Sequence, residues 1–178
     1  MKLWKGMFIM GLLGILSGCF GSKPVDHYAT QKPTLDLQTY FSGPIKAWGV
    51  VQDFTGKVTR RFDVDMVGTW TDGVGTLEEK FIFDDGEVQE RTWTITKVGE
   101  NQYTGTAGDI LGQATGQAAG NAMRWAYKMD LNVGNSTYRI TFDDWMFLMN
   151  DDILINRSYL KKFGITVGEL SIFMQKQK

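Results

Sequence analysis

Val58-Thr59-Arg60-Arg61-Phe62-Asp63-Val64-Asp65-Met66-Val67-Gly68-Thr69-Trp70 decides the fold. Phe62, Val64, Met66, Gly68 and Trp70 fall on one side of an extended chain. Arg61, Asp63, Asp65 and Thr69 fall on the other. A period of two with one apolar and one charged side describes a strand with a buried face and a wet face.

The turns on either side carry this strand into hairpins and fix which residues oppose each other. Phe54-Thr55-Gly56 suits a three-residue loop and sets Trp48 opposite Phe62. Asp72-Gly73 suits a two-residue turn, with Trp70 opposite Gly75, Met66 opposite Glu79 and Val64 opposite Phe81. Asp84-Asp85-Gly86 sets Leu77 opposite Trp93 and Glu79 opposite Arg91. Gly99-Glu100-Asn101 sets Lys97 opposite Tyr103. All four registers keep the apolar faces on one side, which a wrong period would not do.

Residues 108–122 break the pattern, with Gly108, Gly112, Gly116 and Gly120 at every fourth position. A helix with that many exposed glycines would lose about 1 kcal/mol at each. The preferred reading is a strand or extended loop whose small face, Gly112 to Gly120, lines the interior and leaves space there. The bland alternative is tight packing against bulky neighbours.

Alternation then resumes through Met123, Trp125, Tyr127, Met129 and Leu131. A Gly134-Asn135 turn sets Trp125 opposite Asp144. An Asn150-Asp151 turn sets Asp144 opposite Arg157. A bend at Lys161-Lys162-Phe163-Gly164 leads to a closing strand through Leu170, Ile172 and Met174. The expected fold is all-β: an antiparallel meander of about nine or ten strands, closed as a barrel or strongly curled. Closure removes the exposed edges of a long meander.

Two charged pairs fall on the apolar side of this meander, Glu79 with Arg91 and Asp144 with Arg157. Trp48, Met66, Trp70, Trp93, Trp125, Gly112 and Gly116 are the expected lining around them. A carboxylate facing an arginine in a low dielectric holds a polar head group, or serves as acid or base if its pKa is raised. The structural alternative is a pair of buried ion pairs, each costly to break at about 3–5 kcal/mol.

Other chemistry is sparse. The only histidine is His27 and the only cysteine is Cys19. Neither lies in the β region, which removes most nucleophilic and metal chemistry from it. Asp84-Asp85 and Asp151-Asp152 lack the spacing of a calcium loop and read as turns. No phosphate loop or nucleophile elbow occurs. No metal, cofactor or enzymatic role is therefore expected, although a carboxylate-based enzyme stays as a third reading.

The N-terminus says where the chain goes. Lys2 and Lys5 precede an apolar run from Met7 to Leu16, and Leu16-Ser17-Gly18-Cys19 follows. A positive start, a short apolar core and small residues before a cut site make a secretory signal, too short to span a bilayer. The ending resembles the lipobox of bacterial lipoproteins. The resemblance implies cleavage before Cys19, lipid on its sulfur, and, since Phe20 rather than Asp follows, anchoring at the outer membrane facing the periplasm. Residues 1–18 are then signal peptide, 19–33 a lipidated N-terminus and flexible tether, and 34–178 one barrel-like domain.

Cleavage takes Lys2 and Lys5, so the mature chain is slightly acidic and has no basic block. Nucleic acid is not an expected partner. With Cys19 lipidated no thiol is left for a disulfide, and stability must come from a packed core.

Several strings resemble an uncharacterised family of bacterial envelope lipoproteins known only as a domain of unknown function (DUF3833). They include Gly43-Pro44-Ile45-Lys46-Ala47-Trp48-Gly49, Asp65-Met66-Val67-Gly68, Gly105-Thr106-Ala107-Gly108-Asp109, Asp143-Asp144-Trp145-Met146 and Lys162-Phe163-Gly164. The architecture is similar to the calycin, or lipocalin-like, barrels. Gly68-Thr69-Trp70 resembles the lipocalin Gly-x-Trp, although here it ends the second strand rather than lying on the first. The resemblance implies lipid anchoring and a single β domain and brings no catalytic residues. The expected function is binding of a small apolar or lipid-like ligand inside the barrel. The alternative is an assembly lipoprotein with a filled barrel and an envelope protein partner. An interior cavity above about 300 Å³ separates the two.

Overall fold

A computed structural model describes residues 24–178. The expected signal peptide and Cys19 lie outside the described residues. Ten strands follow in chain order: β1 Gly43–Asp53, β2 Val58–Thr71, β3 Val74–Phe83, β4 Val88–Lys97, β5 Gln102–Thr106, β6 Ala114–Ala119, β7 Ala122–Val133, β8 Ser136–Leu148, β9 Ile153–Lys162 and β10 Ile165–Lys176. Each pairs antiparallel with the next, and β10 pairs with β1, so the meander closes into a barrel.

Alternation explains the barrel strand by strand. In β2 the pattern is buried at Phe62, Val64, Met66 and Gly68 and exposed at Arg61, Asp63, Asp65 and Val67. The registers read from the turns hold for β2–β3, β3–β4, β4–β5 and β7–β8: Trp70 opposes Gly75, Glu79 opposes Arg91, Lys97 opposes Tyr103, and Trp125 opposes Asp144.

Two registers differ by one residue. At the β1–β2 turn the three-residue loop forms as expected, with Asp53 N–H donating to the Lys57 carbonyl at 3.0 Å. A bulge then shifts the pairing between Val51 and Gln52. Trp48 therefore opposes Asp63 and faces outward at 41% exposure, while Gly49 takes the inward place opposite Phe62. Trp48 does not line the interior.

The β8–β9 loop holds three residues rather than two, because Met149 N–H donates to the Ile153 carbonyl at 2.9 Å. Asn150 Oδ1 accepts from the backbone of Asp152 and Ile153 at 3.0 and 2.9 Å and braces the loop. Asp144 consequently opposes Ser158, and Arg157 faces out, bonded to Glu169 at 2.6 Å. Arg157 is not an interior residue.

The glycine-rich stretch divides. Gly112 lies in the loop before β6, in a left-handed conformation at φ 72°, and does not line the interior. Gly116 does sit on a strand, but the Trp125 ring and the Met123 side chain lie where its Cβ would be. Gly49 is likewise filled by Phe62, Gly75 by Trp70 and Gly105 by Trp125. The small residues give their space to a neighbour's aromatic ring rather than leaving it open.

A short helix, α1 (Leu37–Tyr40), plugs one end of the barrel. Asp36 caps it by accepting from Thr39 N–H at 2.8 Å. Lys176 donates to the carbonyls of Thr39, Tyr40 and Ser42, each at 2.9 Å, which satisfies its last turn. Leu37 and Tyr40 are buried, and the Trp70 indole donates to the Phe41 carbonyl at 3.1 Å.

Before α1, residues expected to form a tether are docked instead. Val25 is buried, and Tyr28 packs edge-on against Trp145 and Phe147 on the outside of β8. Leu35 N–H donates to the Gly120 carbonyl at 2.8 Å.

Candidate functional site

The register puts charge where the apolar face should be, and the barrel closes around it. Glu79 from β3 and Arg91 from β4 face each other inside, with Arg91 Nη1 3.9 Å from Glu79 Oε2. That is an ion pair and too long for a hydrogen bond. Arg91 spends its other donors on Asp109, in the loop between β5 and β6: Nη2 at 2.7 Å and Nε at 2.9 Å from Oδ2. Asp109 thus caps the arginine from the barrel mouth.

Asp144 from β8 is buried on the same cavity. Ser158 Oγ donates to its Oδ1 at 2.5 Å, and Asn156 Nδ2 donates to Ser158 Oγ at 3.2 Å. This chain orients the Asn156 amide. Its Oδ1 and Glu79 Oε2 are buried and have no hydrogen-bond partner among the described residues. Unpaired buried acceptors are costly, at about 1–3 kcal/mol each.

Burial pushes the Glu79 carboxyl up to about 7, against the opposing pull of Arg91. Burial likewise pushes Asp144 up to about 7, against the hydrogen bond from Ser158. Desolvation penalises the charged form of each, so both sit between protonated and ionised near neutral pH. The Tyr127 hydroxyl is raised well above its ordinary range, again by burial.

Aromatic rings wall the pocket. Trp93 meets Trp125 edge-on at 5.7 Å and Tyr127 at 5.3 Å, and Tyr127 stacks on Phe142 at 4.9 Å. Met66 is buried in the same core, and Trp70 packs at its edge beside α1. The cavity measures about 90 Å³. It falls short of the roughly 300 Å³ of a pocket for a drug-sized molecule and has room for a small head group.

Of the expected interior charges, the structure therefore unites Glu79, Arg91 and Asp144. Arg157 is replaced by the uncharged Asn156 and Ser158. Those two were hidden by the β8–β9 register, although Asn150 is a turn-capping residue that signals the longer loop. Asp109 carries no periodicity signal, being in a loop 18 residues from its partner.

Asp143, next to Asp144, faces the opposite way. It is 2% exposed and bonds Arg124 at 2.6 Å and Lys161 at 2.5 Å. Burial raises its pKa, but these two cations outweigh that and hold the carboxyl below the usual range.

Among the described residues, no group of three or more His, Cys, Asp or Glu side chains is placed to hold a metal ion. No helix among them is long and apolar enough to cross a membrane.

The barrel is similar to the solved S-type phycobiliprotein lyase CPES from Guillardia theta. The TM-score is 0.51 at 7% identity, over 77% of this chain and 89% of that one. A likeness at that identity shows a shared lipocalin-like fold. No curated protein matches the chain. Residues 13–176 match the family described as "Protein of unknown function (DUF3833)", and with all ten barrel strands inside that match, the chain belongs to this family.

Proposed function

We propose that this chain is an envelope lipoprotein, anchored through Cys19, whose barrel binds a small amphipathic molecule by its polar end. The observation that carries this reading is the pair of unpaired acceptors, Glu79 Oε2 and Asn156 Oδ1, on an aromatic-walled cavity. A barrel serving only as a rigid body would fill that space with apolar side chains, which costs less than burying unpaired polar groups. The lipocalin-like fold is compatible with a small ligand inside. At about 90 Å³ the cavity fits a head group, and the apolar part would lie toward the mouth among Phe81, Leu160 and Leu170.

The test is native mass spectrometry with lipid extraction on the full mature chain purified from its own host. A stoichiometric small molecule released on denaturation is the expected result. Lipidation is checked separately: Cys19→Ser is expected to leave the protein unlipidated and out of the membrane fraction, and full membrane partitioning of that variant would place the anchor elsewhere.

The second reading is an assembly lipoprotein with an envelope protein partner. It is favoured by the small cavity and by an outward row of Trp48, Phe173 and Ile155 across β1, β10 and β9, each about two-fifths exposed. These residues edge an apolar surface groove of about 440 Å³. An empty, monomeric protein in the same mass spectrum selects this reading, and crosslinking in the envelope then identifies the partner.

A further inference from the structure

We infer that the polar end of the ligand is a protonated amine rather than a carboxylate. This rests on the reading that the barrel binds a small amphipathic molecule, and adds the chemistry of its head group.

Three features of the pocket agree. First, the two fully buried side-chain atoms of the pocket without a partner, Glu79 Oε2 and Asn156 Oδ1, are both acceptors, which a ligand that brings donors satisfies. An ammonium group brings three donors and no acceptor, and a carboxylate brings only acceptors.

Second, the charges are unbalanced. Glu79, Asp109 and Asp144 stand around a single guanidinium, and Arg91 already gives Nε and Nη2 to Asp109. A carboxylate ligand would find only the Nη1 end of Arg91 open, beside Glu79, and would meet the Glu79 and Asp144 carboxyls there. A cation meets two buried carboxyls that have no full counter-charge, and desolvated ion pairing of this kind is strong.

Third, Trp93, Trp125 and Tyr127 line the cavity, and aromatic rings attract a cation, as the Arg91 guanidinium 5.8 Å from the Trp93 ring centre already shows. Aromatic rings and carboxyls on one cavity wall are the arrangement that organic cations need.

The groups facing the site from every packed element are Glu79 on β3, Arg91 on β4, Asp109 in the mouth loop, Tyr127 on β7 and Asp144 on β8. Of these, Glu79 and Asp144 titrate near neutrality. An alkylamine stays protonated across that range. Amine binding therefore strengthens as pH rises through about 7, when both carboxyls become charged. Carboxylate binding would weaken over the same range.

The experiment uses the full-length protein in lipid nanodiscs, titrated calorimetrically with n-pentylamine, 1-pentanol and pentanoate, with empty nanodiscs as reference. At about pH 8 the amine is expected to bind at least about tenfold more tightly than the alcohol, with pentanoate weakest. Lowering the pH to about 6 should erase most of the amine's advantage. Glu79→Gln and Asp144→Asn should each reduce amine affinity about tenfold while leaving pentanol within about threefold, which also shows that the variants are folded.

Pentanoate binding as tightly as the amine overturns the inference. So does an amine no tighter than the alcohol, or an amine preference that survives both substitutions. If none of the three binds, the ligand-binding reading falls and the inference with it.

Discussion

Adjacent residues Asp143 and Asp144 show how much one step along a strand decides. Alternation alone says that they face opposite sides, and they titrate in opposite directions: Asp143 is held low by Arg124 and Lys161, and Asp144 is raised by burial. The two therefore act oppositely on stability. Asp143 contributes stability that is present above its unfolded pKa of about 3.9 and lost as pH falls below it. Glu79 and Asp144 bind protons in the folded state between about pH 4 and 7, when the unfolded chain has released them. Their contribution is present below about pH 4 and lost as pH rises through about 7. Glu79→Gln removes one of these groups. Relative to the parent it should gain about 1–3 kcal/mol in denaturant unfolding between about pH 5 and 8. An unchanged difference across that range would show that Glu79 is not raised. Asp143→Ala should instead cost about 1–3 kcal/mol at neutral pH, because it strips the partner from two cations.

At the scale of the element, strand number and facing were legible because the period-two pattern repeats through β2, β3, β4 and β7, and Asp72-Gly73 and Gly134-Asn135 fix their turns. Two things were not. A bulge beside Thr59 adds a residue that no hydropathy pattern announces, and it turned Trp48 outward. The three-residue loop at Asn150 exchanged Arg157 for Ser158, and with it replaced a salt bridge by a hydrogen-bonded chain. The site was half legible for the same reason: Glu79 and Arg91 lie on a hairpin with a strong turn signal, whereas Asn156 and Ser158 lie across the ambiguous one. The plug was not legible either, since α1 is a single turn held by tertiary contacts. Gly68 is where it docks: a Cβ there would lie 1.7 Å from the Phe41 carbonyl oxygen. Backbone cannot yield as a side chain can. Gly68→Ala should lower stability by about 3 kcal/mol or more and break the Trp70–Phe41 hydrogen bond, seen as a lowered melting temperature with a changed near-ultraviolet spectrum. A melting temperature within a degree or so of the parent's would mean that α1 is not fixed at that point.

At the scale of the molecule, the barrel does not end where composition placed its boundary. Pro24 to Pro33 reads as linker because it is polar and carries two prolines, yet Val25 and Tyr28 cover Ala122, Trp145 and Phe147. Two apolar side chains are too few for a hydropathy pattern and enough for a docking contact. Deleting residues 24–33 should uncover those rings and cost about 2–4 kcal/mol, with increased binding of an apolar dye as the direct readout. An unaltered unfolding curve and no dye binding would return the segment to the role of a tether.

An even number of antiparallel strands brings the last one home to where the first began. Gln177 N–H reaches the Pro44 carbonyl at 2.9 Å, so whatever precedes Pro24 and whatever follows Lys178 leave from the plugged end, on the α1 side. A reporter fused after Lys178 would crowd the same end that a lipid at Cys19 would hold. The Phe163-Gly164 turn lies at the far rim, with Phe163 94% exposed, and offers a place for a dye or epitope that looks into the mouth without touching the mooring.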